Sequence, residues 1–193
     1  MIRYAVFDAD GTLIDSLGVW RAADDVYLAS KGKRMTDEIY RAFMKMTYGE
    51  SITFVKDHFS LSDSEERISA DIMKIVTEKY ATEVRAMPGV IPLLDRLKDR
   101  GIPIAVATAN EKELVTAALS SNGMLGYFRH IVTCDELGTS KRTADVYVHA
   151  ASMLGGRPAE TLVVEDDPNY VEMAREAGFY ALHVSKIGGI EIE

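Results

Sequence analysis

The sequence predicts an α/β protein: a doubly wound, parallel-sheet (Rossmann-like) core interrupted by an all-helical insert. Three observations carry that reading. Five short apolar, β-branched runs are spread along the chain with helical patterns between most of them, as buried parallel strands joined by crossover helices require. The first of these runs stops at a cluster of acids, and open α/β sheets bind ligands beyond the carboxyl ends of their strands. Residues 16–86 hold helical stretches but no convincing strand, so the expected organisation is a core of 1–15 and 87–193 with a helical cap of 16–86.

The elements follow in order. "IRYAVF" (2–7) is the first strand, ended by Asp8. A helix is expected from Leu17 to Gly32, and another after Thr36, whose next two residues are acids suited to a helix N-terminus. Its apolar positions would be Ile39, Phe43 and Met46. Ser62-x-x-Glu65 offers a capping box, with Ile68, Ile72, Ile75 and Val76 behind it. Pro88 and Gly89 open a helix carrying Leu93, Leu94 and Leu97, and Gly101 suits its stop. Then come "IPIAVA" (102–107), a helix from Glu111 to Gly123, "HIVT" (130–133), "TLVV" (161–164), a helix with Val171 and Ala174 ending at Gly178, and "YALHV" (180–184).

Composition narrows the function classes. Among 193 residues, 47% hydrophobic and 27% charged is an ordinary globular balance, which excludes wholesale disorder. No run approaches the roughly 20 apolar residues that span a bilayer. The N-terminal run reads as a strand rather than a signal peptide, and Cys134 is the only cysteine, so a cytoplasmic protein without disulfides is expected. A formal net charge of −8 disfavours nucleic acid and anionic membranes as partners, yet a local site can still oppose it and take an anionic substrate.

Asp8 and Asp10 follow the first strand, Thr108 the second and Glu165-Asp166-Asp167 the fourth, while Lys141 lies after "HIVT". Two like charges 4 Å apart repel by roughly 4 kcal/mol at an effective dielectric of 20. A divalent cation would remove that conflict, and an all-oxygen donor set favours Mg²⁺ over zinc. Each feature alone has an ordinary explanation: a solvated turn, a helix cap, a surface lysine. An EF-hand loop fits poorly, because Leu13 stands where its glycine belongs. The weight comes from all of them falling in order at strand ends.

That ordered set resembles the four motifs of the haloacid dehalogenase-like hydrolase superfamily, over nearly the whole chain. Asp8-Ala9-Asp10-Gly11-Thr12-Leu13 is similar to motif one, Thr108-Ala109-Asn110 to motif two, Ser140-Lys141-Arg142 to motif three and Glu165-Asp166-Asp167 to motif four. The insert after motif one resembles the cap of the phosphoglycolate phosphatase and β-phosphoglucomutase subgroup. The resemblance implies that Asp8, ionised at its reference pKa of about 3.9, attacks phosphorus and forms an aspartyl phosphate. It implies that Asp10 serves as general acid and then base. Thr108, Ala109, Asn110 and Lys141 would bind the phosphoryl group, Lys141 also offsetting charge on the nucleophile. Mg²⁺ would sit on Asp8, Asp10 (through its backbone carbonyl), Asp166 and Glu165. The implied partner is a small phosphorylated metabolite enclosed between cap and core.

The chain departs from the family pattern in places. Arg142-Thr143-Ala144-Asp145 stands where Pro-x-Pro-Asp is usual after the lysine, which leaves the shape of that loop open. Asp167 and Tyr170 replace a common Ser and Gly; Asp167 is expected to be solvated, and Tyr170 either narrows the site or packs beneath it. His58, His130, His149 and His183 lack metal-ligand spacing, Cys134 reads as a small buried hydrophobe, and Lys31 and Lys33 as a solvated face. The leading reading is a phosphatase. A sugar phosphomutase is the alternative, weakened by Trp20 where a cap histidine is expected and by Thr12 where valine is usual. A non-enzymatic phospho-accepting receiver domain is the second alternative, opposed by the acceptor acid following the first strand. Asp10 argues against dehalogenation.

Overall fold

The computed structural model describes residues 1–43 and 46–189. Contacts divide the chain into two units, Met1–Leu17 with Ala81–Glu193 and Gly18–Tyr80. In the first, β1 (Tyr4–Phe7), β2 (Ile104–Thr108), β3 (Phe128–Thr133), β4 (Thr161–Glu165) and β5 (Tyr180–His183) form one sheet. Every neighbouring pair is parallel, in the order β3-β2-β1-β4-β5. The chain builds outward from β1 on one side and then on the other, so the switch point lies at β1 and β4, where such sheets bind ligands.

In chain order, the helices are α1 (Val19–Ser30), α2 (Asp37–Phe43), α3 (Tyr48–His58) and α4 (Glu65–Thr82), then α5 (Val90–Asp99), α6 (Lys112–Ser121), α7 (Asp145–Met153) and α8 (Pro168–Glu176). Neither α7 nor α3 is legible in the sequence. The run "VYVHAASM" in α7 begins with β-branched and aromatic residues that favour strands. It is helical because Val146, Tyr147, Ala150, Ala151 and Leu154 recur on one face and pack with Val6, Ala105, Ala107 and Val163 of the sheet. Alternation sends Ala5, Phe7, Val106 and Val164 to the other face, and these are also buried. The strands therefore need the unbroken apolar runs that the sequence shows.

Two chain crossings join the units, and within the first unit they are paired. Ile14 forms an antiparallel bridge with Ala86. Asp15 N–H donates to Arg85 O at 2.8 Å, and Met87 N–H to Leu13 O at 2.9 Å. Asn122, just after α6, accepts from Ala86 N–H at 2.9 Å and donates to Val84 O at 3.0 Å.

The regular elements of the second unit, among its described residues, are all helices. α1 buries Val19, Ala23, Tyr27 and Leu28, while α4 buries Ile68, Ile72, Val76 and Tyr80; Ile75 is only half-buried. Thr36 Oγ1 accepts from Ile39 N–H at 3.3 Å, as its sequence position suggests, but α2 buries none of its residues, so Ile39 and Phe43 are no core stripe. Ser64, rather than Ser62, meets the start of α4, accepting from Arg67 N–H at 3.3 Å. A reciprocal capping box does occur, at Thr47 and Glu50 of α3. Lys31 pairs with Asp63 at 2.7 Å, whereas Lys33 is exposed.

Asp24 on α1 is a buried acid, 4% exposed. Burial, reinforced by Asp25 and only partly offset by Arg21, raises its carboxyl from 3.8 to about 7. The folded state thus holds a proton that the unfolded chain releases near pH 4, and stability falls as pH rises from about 4 through about 7. Asp24→Asn removes this residue's contribution. We expect the variant to gain on wild type by about 4 kcal/mol between pH 4 and pH 8, read by urea unfolding at both values.

Candidate active site

The site grows from the register between β1 and β4. Phe7 lies opposite Val164, and Asp8 N–H donates to Val164 O at 3.0 Å, so the acids that follow the two strands arrive side by side. Glu165 is the last residue of β4 and Thr108 the last of β2, one residue beyond the expected ends. Both are therefore held by sheet backbone, and both are buried.

Lys141 joins these elements. Its Nζ donates to Asp8 Oδ1 and, at 2.5 Å, to Glu165 Oε1. All three side chains are nearly closed to solvent, Asp8 at 4%, Lys141 at 7% and Glu165 at 1%. Burial alone would depress the lysine, but Asp8 and Glu165 outweigh it and hold its pKa above the usual value, so it stays charged. Burial likewise pushes Asp8 up, Glu165 adds to the shift, and Lys141 opposes it; the carboxyl rises from 3.8 to about 7. Asp166 is also raised, first by burial and then by Glu165.

One carboxylate oxygen each from Asp8, Glu165 and Asp166 lies within 4.8 Å of the others. Among the described residues, three acids gather around Lys141 and leave excess negative charge, and this donor set fits a hard divalent cation. Gly11 makes room for it. Its φ is +80°, in the left-handed region, and a Cβ there would lie 2.4 Å from Asp166 Oδ2.

Asp10 sits differently. Ser16 Oγ donates to its Oδ1 at 2.5 Å and Asn110 Nδ2 to its Oδ2 at 3.1 Å. Asn110 N–H donates to Thr108 Oγ1 at 3.0 Å, so this amide is engaged within the loop, while Ala109 is exposed. A cavity of 520 Å³ opens beside this loop, lined by Ala109, Asn110 and Thr133 together with charged Glu111, Lys112 and Asp135.

Residues that the sequence left open now have places. Asp167 caps α8, its Oδ1 accepting from Asn169 N–H at 2.7 Å. Arg142 is exposed. The Tyr170 ring centroid lies 5.7 Å from Lys141 Nζ, and so does that of Tyr147. Tyr147 was not foreseen. Its hydroxyl donates to Glu165 Oε1 at 2.5 Å, and burial, then Glu165, holds its pKa far above the normal range, so it remains a donor. Only its place six residues after Lys141, on a helix facing the sheet, could have signalled this. Cys134 is buried and its thiol is pushed up by that burial, which makes it unreactive.

A family model described as "haloacid dehalogenase-like hydrolase" matches residues 2–178. The chain belongs to that family and is a hydrolase. Among curated relatives it is 31% identical to Protein CbbY of Rhodobacter capsulatus, covering 92% of this chain and 82% of that one. It is also 31% identical to hexitol phosphatase A of Escherichia coli K12, covering 93% and 82%. Phosphoglycolate phosphatase of Neisseria meningitidis is 29% identical, covering 95% and 80%. Among solved structures, CbbY of Rhodobacter sphaeroides with bound phosphate superposes with a TM-score of 0.75 at 24% identity, covering 95% and 86%, a likeness of fold. So does β-phosphoglucomutase of Clostridium difficile, at a TM-score of 0.70 and 16% identity, covering 94% and 83%.

Gly11→Ala combines backbone strain with a clash against Asp166. We expect it to weaken divalent-cation binding by about 10–100-fold, since displacing a supporting group typically has that effect. Calorimetric titration of the purified variant checks it, and unchanged affinity would show that Asp166 has no part in cation binding.

Proposed function

We propose that the chain is a Mg²⁺-dependent phosphatase that hydrolyses a small phosphomonoester through an aspartyl phosphate on Asp8. The observation that carries this reading is the ion-paired Asp8–Lys141–Glu165 group with Asp166 beside it at the switch point of the sheet. Curated phosphatases of small phosphorylated compounds among the relatives support the substrate class. Composition supports a cytoplasmic location.

In this reading Asp8 is the nucleophile. Lys141, held charged against it, offsets the negative charge that gathers on nucleophile and phosphoryl group in the transition state. Thr108, with Ala109 and Asn110, contributes the loop that receives phosphoryl oxygens. Asp10 protonates the departing alcohol and then takes the proton of the attacking water. Its links to Ser16 and Asn110 aim the carboxylate. Asp8, Asp10, Glu165 and Asp166 are the residues that would hold Mg²⁺. When bound, the cation neutralises the excess charge of the acids and draws charge from the phosphoryl oxygens.

A phosphomutase would need a cap group able to move protons at position 20. Trp20 offers none, and its ring packs edge-on against Tyr48 at 5.8 Å.

The direct test is phosphate release from a panel of sugar phosphates, phosphoglycolate, nucleotides and phosphorylated cofactors, with Mg²⁺ and with chelator. Release should require the metal, and Asp166→Ala should lose it by several orders of magnitude; full activity in chelator would end the proposal. A second test separates the two aspartates. Asp10→Asn incubated with an aryl phosphate, whose leaving group needs no proton, should gain the mass of one phosphoryl group on Asp8, because the intermediate lacks its base. Asp10 is worth about 10²–10⁴ in rate in such a role. Asp8→Asn should gain no mass, and label that maps elsewhere would mean another nucleophile.

A further inference from the structure

We propose that Tyr147 is a positioning residue: its hydroxyl holds Glu165 so that Lys141 is shared with Asp8 instead of being captured by Glu165. This deepens the phosphatase reading and rests on it.

Glu165 is a buried carboxylate, and such a group must fill its acceptor sites or destabilise the fold. Four donors reach it. Oε1 accepts from Lys141 Nζ and from the Tyr147 hydroxyl, both at 2.5 Å. Oε2 accepts from Asp166 N–H at 3.0 Å and, more weakly, from Asp167 N–H at 3.4 Å. Both of its oxygens thus accept hydrogen bonds from within the protein, and Oε1 is the one that Lys141 and Tyr147 share.

Lys141 is the cation that Asp8 and Glu165 divide, and the partition between them decides how much positive charge the nucleophile keeps. Without the phenol, Oε1 would rely on Lys141 alone and draw the ammonium towards β4. With it, the lysine answers to both acids. The same side chain also backs the ammonium with its ring, whose centroid is 5.7 Å from Nζ. The ring is buried in the contact of α7 with the sheet, so the backbone of α7 and the strand end fix the hydroxyl in place. Tyr147→Phe keeps that packing and removes only the donor.

The test compares wild type, Y147F, K141M and the double variant on p-nitrophenyl phosphate at saturating Mg²⁺. Thermal melts and calorimetric Mg²⁺ titration without substrate accompany the kinetics. In Y147F, kcat should fall about tenfold, at the low end of what removing a supporting hydrogen bond does. KM and the Mg²⁺ dissociation constant should each stay within about twofold of wild type. A residue that works through Lys141 has nothing to act on once the lysine is gone, so Y147F in the K141M background should change kcat less than about twofold. The proposal is overturned by unchanged kcat in Y147F, by the same loss in both backgrounds, or by a loss located in Mg²⁺ affinity. It is equally overturned if Y147F is unfolded at the assay temperature, since the hydroxyl would then belong to the fold. Failure of wild type to release phosphate from any substrate would sink the phosphatase reading itself, a result independent of how Y147F compares.

Discussion

Everything at the carboxyl end of this sheet depends on one ammonium group lying between two buried carboxylates. Lys141 touches both Asp8 and Glu165 in an environment almost closed to water. Desolvating three charges is expensive, and their mutual attraction repays it only when the geometry is good and the remaining acceptor sites are filled. The surrounding structure supplies both conditions. Parallel register between β1 and β4 brings the acids together, α7 delivers Tyr147, and the turn after β4 aims two backbone N–H groups at Glu165. Such an arrangement is a poor device for stability, because apolar residues of similar size would serve as well. Its retention makes sense as a means of holding charge ready for a reacting group.

The framework was legible because it obeys simple periodicities. Buried parallel strands need continuous apolar runs, and all five were readable at nearly the right places. Residues at strand ends can be ordered along the chain, and that order alone singles out Asp8, Thr108, Lys141 and Glu165. What stayed hidden depends on tertiary context. α7 carries Val146, Tyr147 and Val148 in its first turn, residues that favour strands locally, and only the sheet beneath makes it helical. Ser62 and Ser64 both precede acids in a similar pattern, and backbone geometry alone selects Ser64. The stripe Ile39, Phe43 matched a helical period without a core to bury it.

Tyr147 shows why the inner workings of a site resist sequence reading. An aromatic residue on a helix facing a sheet is by default a packing residue, and Tyr147 does pack. Its second property, a hydroxyl ending on Glu165, follows from the distance between α7 and the end of β4, which no local pattern encodes. The same holds for Asp167. Its place among three consecutive acids suggested either the site or solvent, whereas it closes the first turn of α8. Of three adjacent acids, one anchors a lysine, one faces Gly11 and one caps a helix.

The contrast between Asp8 and Asp10 is the sharpest consequence of this arrangement. Both acids lie on one short turn, yet their surroundings share almost nothing. Asp8 is enclosed, paired with a lysine and crowded by Glu165, so its charge is contested and its position rigid. Asp10 is half-buried, and a hydroxyl and an amide orient its carboxylate. Gly11 is what separates the two environments. Only a residue without a Cβ lets the chain turn at φ +80° while Asp166 approaches from β4, and any other side chain there would push the acids apart. The different settings of the neighbouring aspartates thus depend on the backbone conformation at Gly11, the residue that follows them.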